Sequence, residues 1–224
     1  MGLAQAPPDG YCVAMDGTTT QRLPARPLAL PNILTYARIA AVPAVVACMY
    51  WHGLLGGGLW LRWVALVLFV AAGITDFLDG YFARIWGQQS TFGRMLDPIA
   101  DKLLVASCLL MLAVDGTIKG VTVLAAIVIL CREILVSGLR EYLAELRVSV
   151  PVTQLAKWKT AVQLVAVGFL LAGPAGDNVM STWLGRATAV ITDIGIGLLW
   201  LSALVTLYTG YDYFRAGVRH LIDE

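Results

Sequence analysis

Apolar residues in this chain come in long runs separated by short clusters of glycine and polar residues. Six runs approach or exceed the length of a membrane span, at 33–51, 59–86, 94–114, 121–143, 152–172 and 187–208. A helix needs roughly 20 mostly apolar residues to cross about 30 Å of hydrocarbon, so each run predicts a transmembrane helix. The breaks at 53–58, 87–91, 116–120, 148–151 and 173–181 are rich in glycine or polar residues and predict short antiparallel connections. The expected fold is an all-α membrane protein, a bundle of six transmembrane helices. No internal repeat is evident along it.

Composition narrows this further. Of 224 residues, 58% are hydrophobic and 14% charged, against about a quarter charged in an average soluble domain. That excludes an ordinary water-soluble globule, and the 7 Trp, 8 Tyr and 6 Phe exclude a disordered chain. A formal net charge of +1 excludes a nucleic-acid binder held by overall basicity. Cys12, Cys48, Cys108 and Cys131 have no C-x-x-C spacing, so neither a disulfide framework nor a zinc site is expected. The opening residues mix charges and prolines without a continuous apolar stretch; residues 1–28 are read as a flexible tail rather than a cleavable signal peptide.

The distribution of charge gives an orientation. With six spans, thirteen of the sixteen Lys and Arg residues fall on one side and only Arg62, Lys119 and Arg186 on the other, which predicts both termini in the cytosol. Trp86 and Trp158 then mark the inner interface and Trp51, Trp60, Trp63 and Trp183 the outer one, while Trp200 fits neither belt. Residues 216–224 form a cytosolic C-terminal tail in this scheme.

Four acidic residues stand out because they fall within or beside the second and third spans, where an ionised carboxylate needs a partner. Asp76, Asp79, Gly80 and Ala83 share one helical stripe, and Gly93, Asp97 and Asp101 repeat every four residues on the next helix. A rise of about 1.5 Å per residue from residue 59 brings Asp76 to the inner boundary of the bilayer. Asn32, Thr35, Arg38, Arg132, Arg140, Lys157 and Lys159 fall at inner ends of other spans, so polar groups from five helices converge on one cytosolic mouth. Four close carboxylates without His or Cys favour a hard cation, Mg²⁺ or Mn²⁺ rather than zinc. Basic residues facing that acidic site imply phosphate ligands, and phosphate, metal and membrane together point to lipid chemistry.

Asp76-Phe-Leu-Asp79-Gly80-Tyr-Phe-Ala83-Arg84, followed by Gly93, Asp97 and Asp101, fills every position of the D-x2-D-G-x2-A-R-x8-G-x3-D-x3-D pattern. The chain therefore resembles the CDP-alcohol phosphotransferase family over about residues 29–215, read as one membrane domain. Pro31-Asn32-Ile33-Leu34-Thr35 before Arg38, Arg132-Glu133-Ile134, Ser137-Gly138-Leu139-Arg140-Glu141 and Lys157-Trp158-Lys159-Thr160 narrow the resemblance to bacterial members that make phosphatidylglycerophosphate.

The resemblance implies transfer of a phosphatidyl group from CDP-diacylglycerol to sn-glycerol 3-phosphate with release of CMP, in the bacterial inner membrane with the active site facing the cytosol. It implies that Asp76, Asp79, Asp97 and Asp101 hold Mg²⁺ or Mn²⁺, in a site for two ions. Asp76, Asp79, Gly80, Ala83, Arg84 and Gly93 would bind the nucleotide, with Asn32 and Thr35 on the opposite wall. Asp101 would act as general base toward the acceptor hydroxyl. Arg38, Arg132, Arg140, Lys157 and Lys159 are the cations available for the acceptor's phosphate. A homodimer is a further expectation of the resemblance.

Blander readings stand beside these. Arg132 and Arg140 could complement the dipole at a helix end, and Lys157 and Lys159, two residues apart, face different sides. Glu133, Glu141 and Glu145 are read chiefly as solvated or paired helix residues, Glu133 and Arg140 also as braces for the site. Rival functions are sister enzymes with inositol phosphate, serine or phosphatidylglycerol as acceptor, and a carboxylate-based ion transporter. Transport predicts acids near the midplane and repeat symmetry, neither of which this sequence has.

Overall fold

The computed structural model describes residues 30–54, 56, 58–86, 91–145 and 154–222. They form six α-helices: α1 (Leu30–Leu54), α2 (Trp60–Trp86), α3 (Thr91–Val114), α4 (Thr122–Glu145), α5 (Gln154–Leu184) and α6 (Val190–Ile222). Each expected apolar run is the core of one helix. Among the described residues four segments are long and apolar enough to cross a membrane: Ile33–Gly53, Thr122–Leu143, Trp158–Leu184 and Val190–Arg215.

Large apolar side chains lie on the outside as well as the inside. Leu104, Leu109, Leu112, Ile129, Val167, Leu170 and Leu199 are buried in a common core, while Val67, Leu110, Ile134 and Leu204 are each more than half exposed. Apolar residues all round a helix suit a lipid solvent, since hydrocarbon outside is no less apolar than the core within. α1 packs against both α2 and α3, which touch each other little, and α5 packs along α6, with α4 against α6. α1 is therefore the element through which the two acidic helices communicate.

Helix ends differ from expectation on α5 and α6. The stretch 173–181, expected as a connection, is helical except at Gly173, where φ 16° and ψ −109° bend the helix. Pro174 follows directly, and proline suits the first turn of a helix because its missing N–H has no partner to lose there. Gly-Pro here joins two helical segments instead of opening a loop. The second segment carries Asp177, whose carboxylate accepts hydrogen bonds from the backbone N–H of Ile191 (2.7 Å) and Thr192 (3.4 Å), capping α6 from another helix. α6 then runs past residue 208 to Ile222, through most of the stretch read as a tail.

The bend leaves two carbonyls without helical partners, and Arg62 reaches them. Its Nε donates to Leu171 O (3.0 Å) and its Nη2 to Leu170 O (2.8 Å) and Thr117 Oγ1 (3.1 Å), while Nη1 pairs with Asp115. Arg62, counted among the three basic residues of the outer side, is fully buried. Thr117 Oγ1 donates to Asp115 at 2.7 Å, and His52 Nε2 lies 4.0 Å from the same carboxylate. Gly173 gives this guanidinium room, because a Cβ there would lie 3.3 Å from Arg62 Nη2. Gly116 (φ +77°) turns the chain between α3 and α4 beside this cluster.

Candidate active site

The opposite end of the bundle gathers charge from five helices. Arg38 on α1 is 1% exposed; its Nη1 lies 2.8 Å from Asp76 Oδ1 on α2, and its Nε donates to Ala72 O at 3.4 Å. Thr35, one helical turn before Arg38, is likewise buried and engaged. Asp76 remains 47% exposed, so one side of its carboxylate is open. Asp101 on α3 feels the charges of Asp76 and Arg38, and also those of Glu133 and Lys159. Asp76 on α2 and Asp101 on α3 are near enough for each to bear on the other's charge, and Arg38 of α1 bears on both.

A second group lies beside the first. Lys159 on α5 is buried and its ammonium pairs with Glu133 on α4. Glu133 is also 3.4 Å from Arg132 Nη1, and Arg132 Nη2 donates to Thr209 Oγ1 on α6 at 3.0 Å. Arg140, two turns beyond Arg132, sits 5.6 Å above the ring of Tyr213. Lys102, next to Asp101, donates to Ser137 of α4, tying α3 to α4. Asp101, Lys102, Glu133, Thr160 and Gln163 line a small cavity of about 70 Å³. Carboxylate, ammonium, carboxylate and guanidinium thus alternate from Asp101 through Lys159 and Glu133 to Arg132, an order that neutralises each buried charge with its neighbour.

Of the expected site residues, Thr35, Arg38, Asp76, Asp101, Arg132, Arg140 and Lys159 are brought to this end of the bundle. Arg38, expected on the acceptor's phosphate, is paired with Asp76. Asn32, Asp79, Gly80, Ala83, Arg84, Gly93, Asp97 and Lys157 lie on α1, α2, α3 and α5, but their side chains fall outside the described residues. Thr209, Gln163 and Tyr213 are not among the expected site residues, and Glu133 is expected there only as a brace. The spacing of Ser202, Thr206, Thr209 and Tyr213 on α6 was the available signal for the last helix.

Asp76 and Asp101 supply only oxygen donors, with no His or Cys among the residues described around them, and such a set suits a hard divalent cation. Among the described residues no three such side chains form a ready metal cluster. The partially exposed carboxylate of Asp76, facing a second carboxylate whose repulsion needs relief, fits a cation at this position.

The CDP-alcohol phosphatidyltransferase family model matches residues 28–208. A Cereibacter sphaeroides protein named CDP-diacylglycerol--glycerol-3-phosphate 3-phosphatidyltransferase is 39% identical over 221 residues, covering 87% of this chain and 98% of its own. One of the same name from Rickettsia bellii is 45% identical over 187 residues, covering 84% and 94%. An Arabidopsis thaliana protein with that name and the suffix 2 is 38% identical over 217 residues, covering 91% and 85%.

Proposed function

Since the chain belongs to the CDP-alcohol phosphatidyltransferase family, we propose that it transfers the phosphatidyl group of CDP-diacylglycerol to sn-glycerol 3-phosphate, giving phosphatidylglycerophosphate and CMP. It is an enzyme of phospholipid biosynthesis and a membrane protein. The names of its relatives support the donor and the acceptor. One observation carries the assignment: the carboxylates of Asp76 and Asp101 stand beside a row of buried cations, Arg38, Lys159 and Arg132, at one end of the bundle. An acidic site for metal-bound diphosphate next to a basic site for a phosphorylated acceptor is what this transfer requires.

In this reading Asp76, Asp79, Asp97 and Asp101 hold two Mg²⁺ or Mn²⁺ ions, which would neutralise the diphosphate and stabilise the developing negative charge when bound. Asp76 and Asp79 thereby fix the donor, and Gly80, Ala83, Arg84 and Gly93 let the nucleotide lie close against α2 and α3. Asn32 and Thr35 line the facing wall. Arg38, held on Asp76, is within reach of phosphate oxygens at the boundary of the two subsites. Asp101 takes the proton from the primary hydroxyl of the acceptor as that oxygen forms its bond to the lipid-side phosphorus. The bond from phosphorus to the CMP oxygen breaks, and CMP leaves. Arg132 and Arg140, with Lys157 or Lys159, hold the acceptor's phosphate so that only its hydroxyl faces the donor.

The arrangement of charges supports six spans with both termini in the cytosol, a membrane domain at 29–215 flanked by tails at 1–28 and 216–224, and an active site opening to the cytosol in the inner membrane. The protein acts as a homodimer in this scheme. Purified protein in detergent, given labelled CDP-diacylglycerol and a panel of acceptors with and without Mg²⁺ or Mn²⁺, tests the reaction. Metal-dependent CMP release with glycerol 3-phosphate alone among them is the expected result, and release with another acceptor instead would refute it.

A further inference from the structure

Ser202, Thr206, Thr209 and Tyr213 follow one another on α6 at spacings of 4, 3 and 4, which puts them on one stripe, and all four are more than nine-tenths buried. Thr209 is accounted for: it accepts from Arg132 Nη2 and its hydroxyl lies within 3.0 Å of Val205 O. Tyr213 Oη and Arg132 Nε are also buried, yet neither has a hydrogen-bond partner among the described residues. A buried hydroxyl and a buried guanidinium N–H left unmade are both unfavourable, more so where lipid rather than water surrounds the bundle.

These two groups are neighbours. The Tyr213 phenol is close enough to act on the Arg132 charge, and Arg140 lies 5.6 Å over the same ring. Gly210 makes the approach possible, since a Cβ there would sit 3.1 Å from Arg132 Cγ and 3.5 Å from its Nε. Arg132 therefore lies flat along α6 with its Nε beside the stripe. Arg132 Nε and the Arg140 guanidinium can only donate, Tyr213 Oη can donate as well, and Glu133, the acidic group paired with Arg132 among the described residues, is already shared with Lys159. A neutral alcohol would ask such a site for acceptors as well; a phosphate monoester, with its three anionic oxygens, asks only for donors.

We propose that the Tyr213 hydroxyl is a specificity-determining group that donates a hydrogen bond to the phosphate monoester of the acceptor, with Arg132 Nε and Arg140 completing the subsite. This rests on the placement of the acceptor's phosphate at Arg132 and Arg140 given above. Tyr213→Phe removes the hydroxyl and keeps the ring beneath Arg140, so it isolates this one contact.

Two measurements on the full-length protein in detergent test it. In the first, Tyr213→Phe raises KM for glycerol 3-phosphate about tenfold or more, the scale of one hydrogen bond to a charged group, and leaves KM for CDP-diacylglycerol within about twofold. In the second, glycerol 3-phosphate raises the thermal midpoint of the unsubstituted protein and raises that of Tyr213→Phe by less. An unchanged KM, an equal thermal shift in both proteins, or no shift in either overturns the proposal. Lowered stability without ligand together with an unchanged KM would make the hydroxyl structural, and overturns it too. If the unsubstituted protein binds glycerol 3-phosphate but releases no CMP with it, the proposed reaction fails while the subsite stands.

Discussion

Glu133 pairs with Lys159 and Arg132, two cations that the sequence marks as candidates without showing that they share one carboxylate. Lys159 lies 26 residues away and Thr209, the other partner of Arg132, lies 77 away, so these contacts arise only when α4, α5 and α6 close together. The four aspartates stand out in the sequence because their pattern is local, whereas Glu133 is read there chiefly as a solvated or paired helix residue because its partners are distant. Asp101→Asn keeps the shape of the side chain and removes the proposed base, so CMP release should fall by about 10²- to 10⁴-fold with the fold intact, which turnover and a thermal melt together measure. Lys159→Met strips Glu133 of its main partner while Arg132 remains 3.4 Å away. A loss of about 1–3 kcal/mol in unfolding free energy is expected. Pairing it with Glu133→Gln should restore part of that loss, and a double-substitution cycle in detergent reads the coupling.

Elements were easier to foresee than their ends. Six apolar runs predicted six helices, since run length alone reports a span, but Gly173-Pro174 looked like a loop and is a bend. The difference lies in tertiary contacts: Asp177 caps α6, Ser181 accepts from the Thr188 backbone N–H, and Arg62 satisfies Leu170 O and Leu171 O, which together hold the second segment of α5. Arg62→Ala should therefore cost about 3–5 kcal/mol, since it removes the guanidinium from Leu170 O and Leu171 O and leaves the Asp115 carboxylate without its cation at a buried site. The same substitution should leave both KM values near normal in protein that remains folded, because Arg62 is at the far end of α2 from Asp76. Close packing of α5 on α6 depends on Gly195, where a Cβ would fall 2.9 Å from Leu170 Cγ and 3.1 Å from the Leu170 backbone nitrogen. Backbone cannot yield as a side-chain tip can, so Gly195→Ala should lower stability by about 1–3 kcal/mol, seen as an earlier thermal midpoint.

For the whole molecule, the sequence supplied a charge imbalance between the two sides, and the fold adds a division of labour between the two ends. One end holds Asp76, Asp101 and the basic row; the other holds Arg62, Asp115 and the bent part of α5. Single cysteines introduced into a cysteine-free background test the orientation. A cysteine at Thr182 should react with a membrane-impermeant maleimide on intact cells, and one at Arg219 only after the cells are opened; the opposite pattern would invert the topology. The bend at Gly173 also acts as a depth gauge. Straight, the 31 residues of α5 would reach about 46 Å, whereas the 19 residues before the bend reach about 28 Å, close to the thickness of a bilayer's oily interior. The apolar stretch Trp158–Leu184 runs through the bend, so the angle at Gly173 sets how much thickness it covers, and vesicles of much longer-chain lipids should slow the protein by drawing the reactive end away from the headgroup plane where donor and acceptor meet.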